Sequence, residues 1–135
     1  MSSISNPKIL KRTVGRRKRA VASVRLLSGT GQITVNAKPV EAYFPGEFAK
    51  KIYSLPFVVT DLKKYNISAK VAGGGKEGQL DALVLGISRA FAQLKDSYKS
   101  LLRNAGLMTR DSRERQRRMI GTGGKSRRQK SSPKR

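Results

Sequence analysis

Residues 66–94 place an alternating strand pattern, a glycine-rich loop and a helical pattern in direct succession. In residues 66–72, NISAKVA, apolar and polar side chains alternate, which is typical of a strand with one exposed face. The loop GGGKEGQ follows at residues 73–79, and the next segment carries apolar side chains at helical spacing, at positions 80, 83, 84, 87, 91 and 94. This order predicts an amphipathic strand whose apolar face is covered by a long helix.

Two other segments have the alternation of strands. They are RAVASVRLL at residues 19–27 and QITVN at residues 32–36. The short loop between them contains two glycines, so the pair predicts a β-hairpin. Alternation also argues against a sheet buried on both faces, because buried parallel strands have continuous apolar runs.

Two further segments have helical spacing. Residues 47–55 carry Phe48, Ile52 and Leu55 on one side, and residues 57–62 either extend this helix or form a strand. A shorter helix is predicted over residues 96–106, with Asp96 as its N-cap and Gly106 just past its end. The expected fold class is α+β: a two-layer α/β sandwich whose mostly antiparallel sheet is covered on one face by helices.

The positive charge of the chain is concentrated near its two ends. The 135 residues include 30 Lys or Arg and 8 Asp or Glu, which gives a net charge of +22. Residues 8–25 hold eight basic and no acidic residues, and residues 110–135 hold eleven basic and two acidic residues. So large a charge repels itself, and nucleic acid is the abundant polyanion that binds Lys and Arg by releasing counterions.

The distribution of charged and apolar residues also divides the chain into three segments. After Met108, the C-terminal segment has only Met119 and Ile120 as large apolar residues, too few to offset the chain entropy of folding alone. We therefore expect a flexible N-terminal extension at residues 1–13, a globular domain at 14–108 and an extended basic tail at 109–135.

Composition excludes several classes of function. The chain has no cysteine and no histidine, which removes thiolate chemistry, the commonest general base and the commonest metal ligands. No apolar run is long enough to cross a bilayer, and the N-terminus has no secretory signal core. We expect no enzyme activity, no cofactor, no metal, no membrane association and no homo-oligomer.

The glycine loop invites comparison with nucleotide sites. Residues 73–78 formally fit G-x-G-x-x-G, and Asp96 lies about twenty residues further on. However, the preceding strand is amphipathic, the loop lies past mid-chain, and Gln79 stands where a P-loop needs lysine. Two interpretations remain: a tight strand-to-helix turn, or a close approach of the backbone to an RNA phosphate beside Lys76.

Five stretches then match one family in order. The chain resembles the bacterial-type small-subunit ribosomal protein S9, or uS9, family. The resemblance is carried by GRRKRAVASVRLLSGTGQITVN (15–36), YFP (43–45), VAGGGKEGQLDALVLGISRA (71–90), LLRNAGLMTRDSRERQRR (101–118) and the final KR (134–135). Residues 119–133, MIGTGGKSRRQKSSP, depart from the family pattern because they lack its aromatic residues and contain extra glycines.

The resemblance implies a fold, a place and a set of partners. The fold is of the ribosomal protein S5 domain 2-like type with a long tail. The place is the ribosome, in a bacterial cytoplasm or in an organelle, a plastid rather than a mitochondrion. The partners are 16S-type rRNA in the head of the small subunit, neighbouring head proteins, and P-site tRNA at the tip of the tail.

The candidate contacts fall into four groups. The hairpin end and the glycine loop are predicted to bind rRNA through Arg16, Arg17, Lys18, Arg19, Gly73, Gly74, Gly75, Lys76 and Gln79. By resemblance, the tail adds Arg110, Arg113, Arg115, Arg117, Arg118, Lys125, Arg127, Arg128 and Lys130, and its tip, Lys134 and Arg135, contacts tRNA. Tyr43 and Phe44 are expected in the core rather than in base stacking.

Two other functions remain open at this point. One is a free-standing nucleic-acid-binding protein, such as a ribonuclease P protein-like subunit, which lacks the ordered match at residues 101–118. The other is a small enzyme that binds ATP at the glycine loop, although its fold relatives are much longer chains.

Overall fold

Five strands form one mixed sheet in the order β1-β2-β5-β3-β4. The structure is a computed structural model that describes residues 8–127. The strands are β1 (Ile9–Arg17), β2 (Ala20–Ser28), β3 (Ile33–Val35), β4 (Lys38–Pro39) and β5 (Tyr65–Ala72). The pairs β1–β2, β2–β5 and β3–β4 are antiparallel, and only β3–β5 is parallel. The prediction of a mostly antiparallel sheet is therefore confirmed.

The predicted hairpin between residues 19–27 and 32–36 is wrong, because β5 lies between the two strands. The connecting loop crosses over the end of β5 and is fixed there by one side chain. The Oδ1 atom of Asn66 accepts hydrogen bonds of 2.9–3.0 Å from the backbone N–H groups of Thr30, Gly31 and Gln32. The loop therefore bridges β5 instead of closing a hairpin.

The hairpin partner of β2 is β1, which begins inside the segment expected to be a flexible extension. Residues 9–13 pair with β2 from Leu27 to Val24, and Thr13 is buried. The cations of β1 form adjacent pairs at positions 11–12 and 16–17, so polar and apolar residues do not alternate strictly and the strand pattern is weak in the sequence. Residues 1–7 of the expected extension lie outside the described residues.

In the described residues, four helices complete the fold: α1 (Val40–Tyr43), α2 (Glu47–Thr60), α3 (Lys76–Ala92) and α4 (Asp96–Asn104). Residues 57–60 continue α2 rather than forming a strand. Lys95 occupies the N-cap position of α4 and Asp96 lies in its first turn, one residue from the prediction, while Gly106 follows the helix with φ 78°. No helix in residues 8–127 combines the length and apolar character needed to span a bilayer.

The core lies between α3 and one face of the sheet. Alternate residues of β2 are fully buried under α3, as predicted: Ala20, Ala22, Val24 and Leu26. The helix lies close to β1 at Gly15 and Gly86, where the Thr13 hydroxyl donates a 2.7 Å hydrogen bond to the Gly86 carbonyl. A side chain at Gly15 would collide with the backbone of α3, so the sequence fixes this close contact. The predicted two-layer α+β architecture is confirmed.

Candidate nucleic-acid interface

The turn between β1 and β2 presents three of the four cations predicted at the hairpin end. Arg17 pairs with Ala20 across the strands, so Lys18 and Arg19 form a two-residue turn, with Lys18 at φ 53°. The side chains of Arg16, Lys18 and Arg19 are exposed, whereas that of Arg17 is only 13% exposed. The hairpin end therefore offers accessible positive charge at one corner of the sheet.

The glycine loop, residues Gly73–Gly75, lies directly against this hairpin end. Gly73 has φ 78°, and a Cβ there would lie 2.6 Å from the Arg19 carbonyl oxygen. Gly74 has φ 61°, and its Cβ would lie 3.2 Å from the Ala20 nitrogen. Gly75 has φ −98° and no atom within 4 Å of a Cβ position. The first two glycines are thus required by packing, and the space beside the third is open.

A chain of polar contacts joins the loop to α1 and α3. The Tyr43 hydroxyl donates a 2.8 Å hydrogen bond to Oε1 of Gln79, whose Nε2 donates to the Gly73 carbonyl at 3.0 Å. The Nζ atom of Lys76 lies 3.4 Å from the centre of the Tyr43 ring, an arrangement typical of a cation–π contact. Phe44 is buried beside Tyr43, as expected for core residues. The YFP and GGGKEGQ motifs therefore build one turn together.

This geometry is that of a strand-to-helix turn rather than a dinucleotide cradle. The strand before the loop, β5, pairs antiparallel with β2 along its whole length and parallel only with the three-residue β3, whereas a dinucleotide fold has a parallel sheet there. Asp96, which is as far along the sequence as a ribose-binding acid would be, is the first residue of α4. Lys76 and Gln79, both predicted to bind rRNA, contact Tyr43 and Gly73 within the protein.

Arg17 links the hairpin to the tail root, residues 110–113. Its Nε lies 3.5 Å from Oδ2 of Asp81 on α3, and its Nη2 lies 3.4 Å from Oδ2 of Asp111. Its Nη1 also donates a 2.8 Å hydrogen bond to the Arg113 carbonyl oxygen. Because an arginine fork can donate several hydrogen bonds in a fixed geometry, one side chain holds the tail root beside the helix.

Asp111 is the centre of charge in the tail root. The Arg113 guanidinium donates to both of its carboxylate oxygens, at 2.7 Å and 3.0 Å, and the Arg113 backbone N–H donates at 3.0 Å. These hydrogen bonds from Arg113, followed by the charges of Arg113 and Arg17, hold the pKa of Asp111 well below its usual range. The carboxylate is therefore ionised at any physiological pH.

Beyond the root, the described tail has no helix or strand through residue 127. Arg110 is half-buried and donates to the Asp111 carbonyl, and Thr122 is buried in a short turn. The remaining described cations predicted to bind rRNA are exposed, with no ion pair among residues 8–127: Arg115, Arg117, Arg118, Lys125 and Arg127. The predicted contacts Arg128, Lys130, Lys134 and Arg135 lie outside the described residues.

Three further cations are exposed on the long strands β1, β2 and β5 and were not predicted as contacts. Arg12 of β1, Arg25 of β2 and Lys70 of β5 point away from the helices. The signal that could have found them is the alternation itself. Because Val24 is buried in β2, its neighbour Arg25 must face the opposite side of the sheet.

Comparison with known proteins finds matches among ribosomal proteins. A family model described as "Ribosomal protein S9/S16" matches residues 15–135. The chain is 46% identical to small ribosomal subunit protein uS9 of Maridesulfovibrio salexigens over 111 residues, covering 82% of this chain and 85% of that protein. It is 45% identical to the protein of the same name from Anaeromyxobacter sp. strain K over 113 residues, covering 83% and 87% of the two chains. With the fold and the exposed cations, these matches show that the chain belongs to the ribosomal protein S9 family, whose members are structural proteins and not enzymes.

Proposed function

We propose that this chain is a structural constituent of the small ribosomal subunit that binds 16S-type rRNA in the head. The observation that carries the proposal is the accessibility of its cations. Arg16, Lys18 and Arg19 at the hairpin end are exposed, and so are most described cations of the tail. Lys and Arg at such positions contact phosphates and release counterions, and folded RNA is recognised mainly by shape and backbone.

The body and the tail have different parts in this function. The folded domain docks on RNA through the hairpin end and the open side of the glycine loop at Gly75. The tail follows the rRNA, and its final residues, Lys134 and Arg135, contact P-site tRNA. Neighbouring proteins of the head are the remaining partners, and the place of action is the ribosome.

The salt dependence of rRNA binding tests the first part. Affinity for a fragment of the 3′ major domain should fall about 10³–10⁵-fold between 50 and 200 mM salt if roughly 6–10 phosphates are neutralised. Filter binding across that range measures the slope. A flat response would contradict the mechanism, and failure to sediment with small subunits would indicate a free-standing RNA-binding protein instead.

Deletion of residues 129–135 tests the tRNA contact. Assembly into small subunits should be nearly intact, because most of the basic residues remain, while P-site tRNA binding at low magnesium should weaken. A matched control keeps the length of the tail but replaces its last three cations, as Lys130→Gln, Lys134→Gln and Arg135→Gln, to separate charge from reach. Unchanged P-site affinity in both variants would remove the tRNA role.

A further inference from the structure

The outer sheet face, turned away from the helices, is open in the described part of the chain. It consists of alternate residues of β1, β2 and β5, and its members are exposed or half-exposed. Val14 and Val21 are each 39% exposed on this face. The face is formed by Arg12, Val14, Arg16, Val21, Ser23, Arg25, Ser68, Lys70 and Ala72.

This face is strongly basic. It carries Arg12, Arg16, Arg25 and Lys70, and β1, β2 and β5 contain no acidic residue. Arg12 and Arg25 are direct cross-strand partners, and like charges in that arrangement destabilise a sheet. A bound polyanion would attract both cations and offset this repulsion, so the pair itself points to an anionic partner.

The chemistry of the face indicates how RNA would lie on it. It has no aromatic residue, whereas sheets that bind single-stranded RNA stack the bases on aromatic side chains. Its central positions are small, Ser23 and Ser68, which allow a bulky backbone to approach. Arg12 and Arg16 stand about 14 Å apart along β1, so they can reach different phosphates of one strand.

We propose that the outer sheet face is a second rRNA-binding surface, which takes the sugar–phosphate backbone of an RNA helix without stacking its bases. The inference rests on the proposed function and adds a surface to it. Arg12, Arg16, Arg25 and Lys70 contact phosphates, and the exposed valines pack against ribose.

Charge removal on the face gives the first test. The triple variant Arg12→Gln, Arg25→Gln, Lys70→Gln should bind the rRNA fragment about 10- to 100-fold more weakly near 100 mM salt, with a salt slope smaller by about two to three. The matched control, Lys50→Gln, Lys51→Gln, Lys63→Gln, removes the same charge from exposed positions on α2 and the loop after it. We expect the control to retain most of the affinity. Thermal unfolding should show the sheet variant to be no less stable, because the Arg12–Arg25 repulsion is lost.

The outcomes separate the two proposals. If the unmodified protein fails to bind rRNA, the proposed function fails. If it binds with a steep salt slope and the sheet variant binds equally well, only the outer sheet face is wrong. Equal losses in both triple variants also overturn the inference, because net charge alone would then explain them. A loss confined to binding of another protein would assign the face to that protein instead.

A chemical probe gives a second test that does not depend on charge. The chain has no cysteine, so Ser23→Cys places a single thiol at the centre of the face. Maleimide should modify this thiol in the free protein, and rRNA should abolish the modification. Ser97→Cys on α4 is the control for reagent activity. A Ser23→Cys thiol that reacts equally fast with and without bound rRNA would overturn the inference.

Discussion

The surroundings of the glycine loop and the basic tail use their polar side chains in opposite ways. Around the loop, the polar side chains of Tyr43, Lys76 and Gln79 contact each other or the loop backbone. In the tail, past the root held by Arg17, the described cations are exposed and form no ion pair with other described residues. The polar groups around the loop therefore stabilise the fold, whereas the described cations of the tail are accessible to a partner.

The difference bears on how a family motif is interpreted. GGGKEGQ looks like a phosphate-binding loop, yet two of its glycines are explained by their contact with Arg19 and Ala20. A motif can be diagnostic of a family because it builds the fold that carries the charges. Under the proposed function, affinity for RNA comes mainly from cations outside the motif. Gly75 has a conformation and open surroundings that do not require glycine.

The largest expected effect is that of Gly73→Ala on stability. Gly73 has φ 78°, and the new Cβ would meet the Arg19 carbonyl at 2.6 Å. Backbone strain and this contact together should lower the free energy of unfolding by about 3 kcal/mol. Urea unfolding measures it.

Gly75→Ala is the matched control for that substitution. Its φ of −98° suits alanine and the space is open, so stability should change by less than about 0.5 kcal/mol. If Gly75 lies against the RNA backbone, the same variant should weaken rRNA binding while leaving unfolding unchanged. Equal destabilisation by both substitutions would refute the division of the loop into packed and open glycines.

The next effect in size concerns the tail. The variant Arg115→Gln, Arg117→Gln, Arg118→Gln should lose about 10- to 100-fold in affinity for rRNA, because three phosphate contacts are removed, with no change in Tm. Lys76→Gln in the loop is the comparison, since its ammonium already lies on the Tyr43 ring. It should change affinity by less per charge than the tail variant. A larger loss per charge at Lys76 would reverse the contrast between the two regions.

Periodicity predicted much of the fold and none of its long-range pairing. The apolar face of α3 and the alternation in β2 and β5 could be predicted from the sequence, because an element buried on one face has a regular spacing of apolar residues. The position of β5 between β2 and β3 was not, because its pairing with both strands, and the Asn66 hydrogen bonds that hold the connecting loop, join residues far apart in the sequence. Local patterns do not encode which strands become neighbours.

The site was predictable as a distribution of charge and not as a set of contacts. The cation cluster at residues 16–19 was visible, but the turn exposes Arg16, Lys18 and Arg19 while Arg17 faces Asp81 and Asp111. That sorting follows from strand register and from residues far apart in sequence. Arg12 and Arg25 were accessible to sequence reasoning through alternation, yet they stand out only once β1 is known to pair with β2.

The smallest expected effect is a loss of backbone order at the tail root. Arg17→Met removes the hydrogen bond to the Arg113 carbonyl and the contacts to Asp81 and Asp111. Backbone order parameters at residues 110–113 should then fall from about 0.85 toward about 0.6 or less in the free protein. Arg16→Met is the control, because its side chain is on the outer sheet face and should leave the root unchanged. If both variants behave alike, Arg17 does not hold the tail.

The pH dependence of the same contact provides an independent measure. Since folding lowers the pKa of Asp111, the stability that its carboxylate contributes is present above the ordinary aspartate pKa of about 3.9 and is lost only as the pH falls through the lower folded value. The side-chain carboxyl carbon shift of Asp111, which accepts hydrogen bonds from Arg113, should therefore stay constant from about pH 6 down to about pH 3, through the ordinary aspartate pKa. A transition centred near about pH 3.9 would mean that the carboxylate is not paired with Arg113 as described.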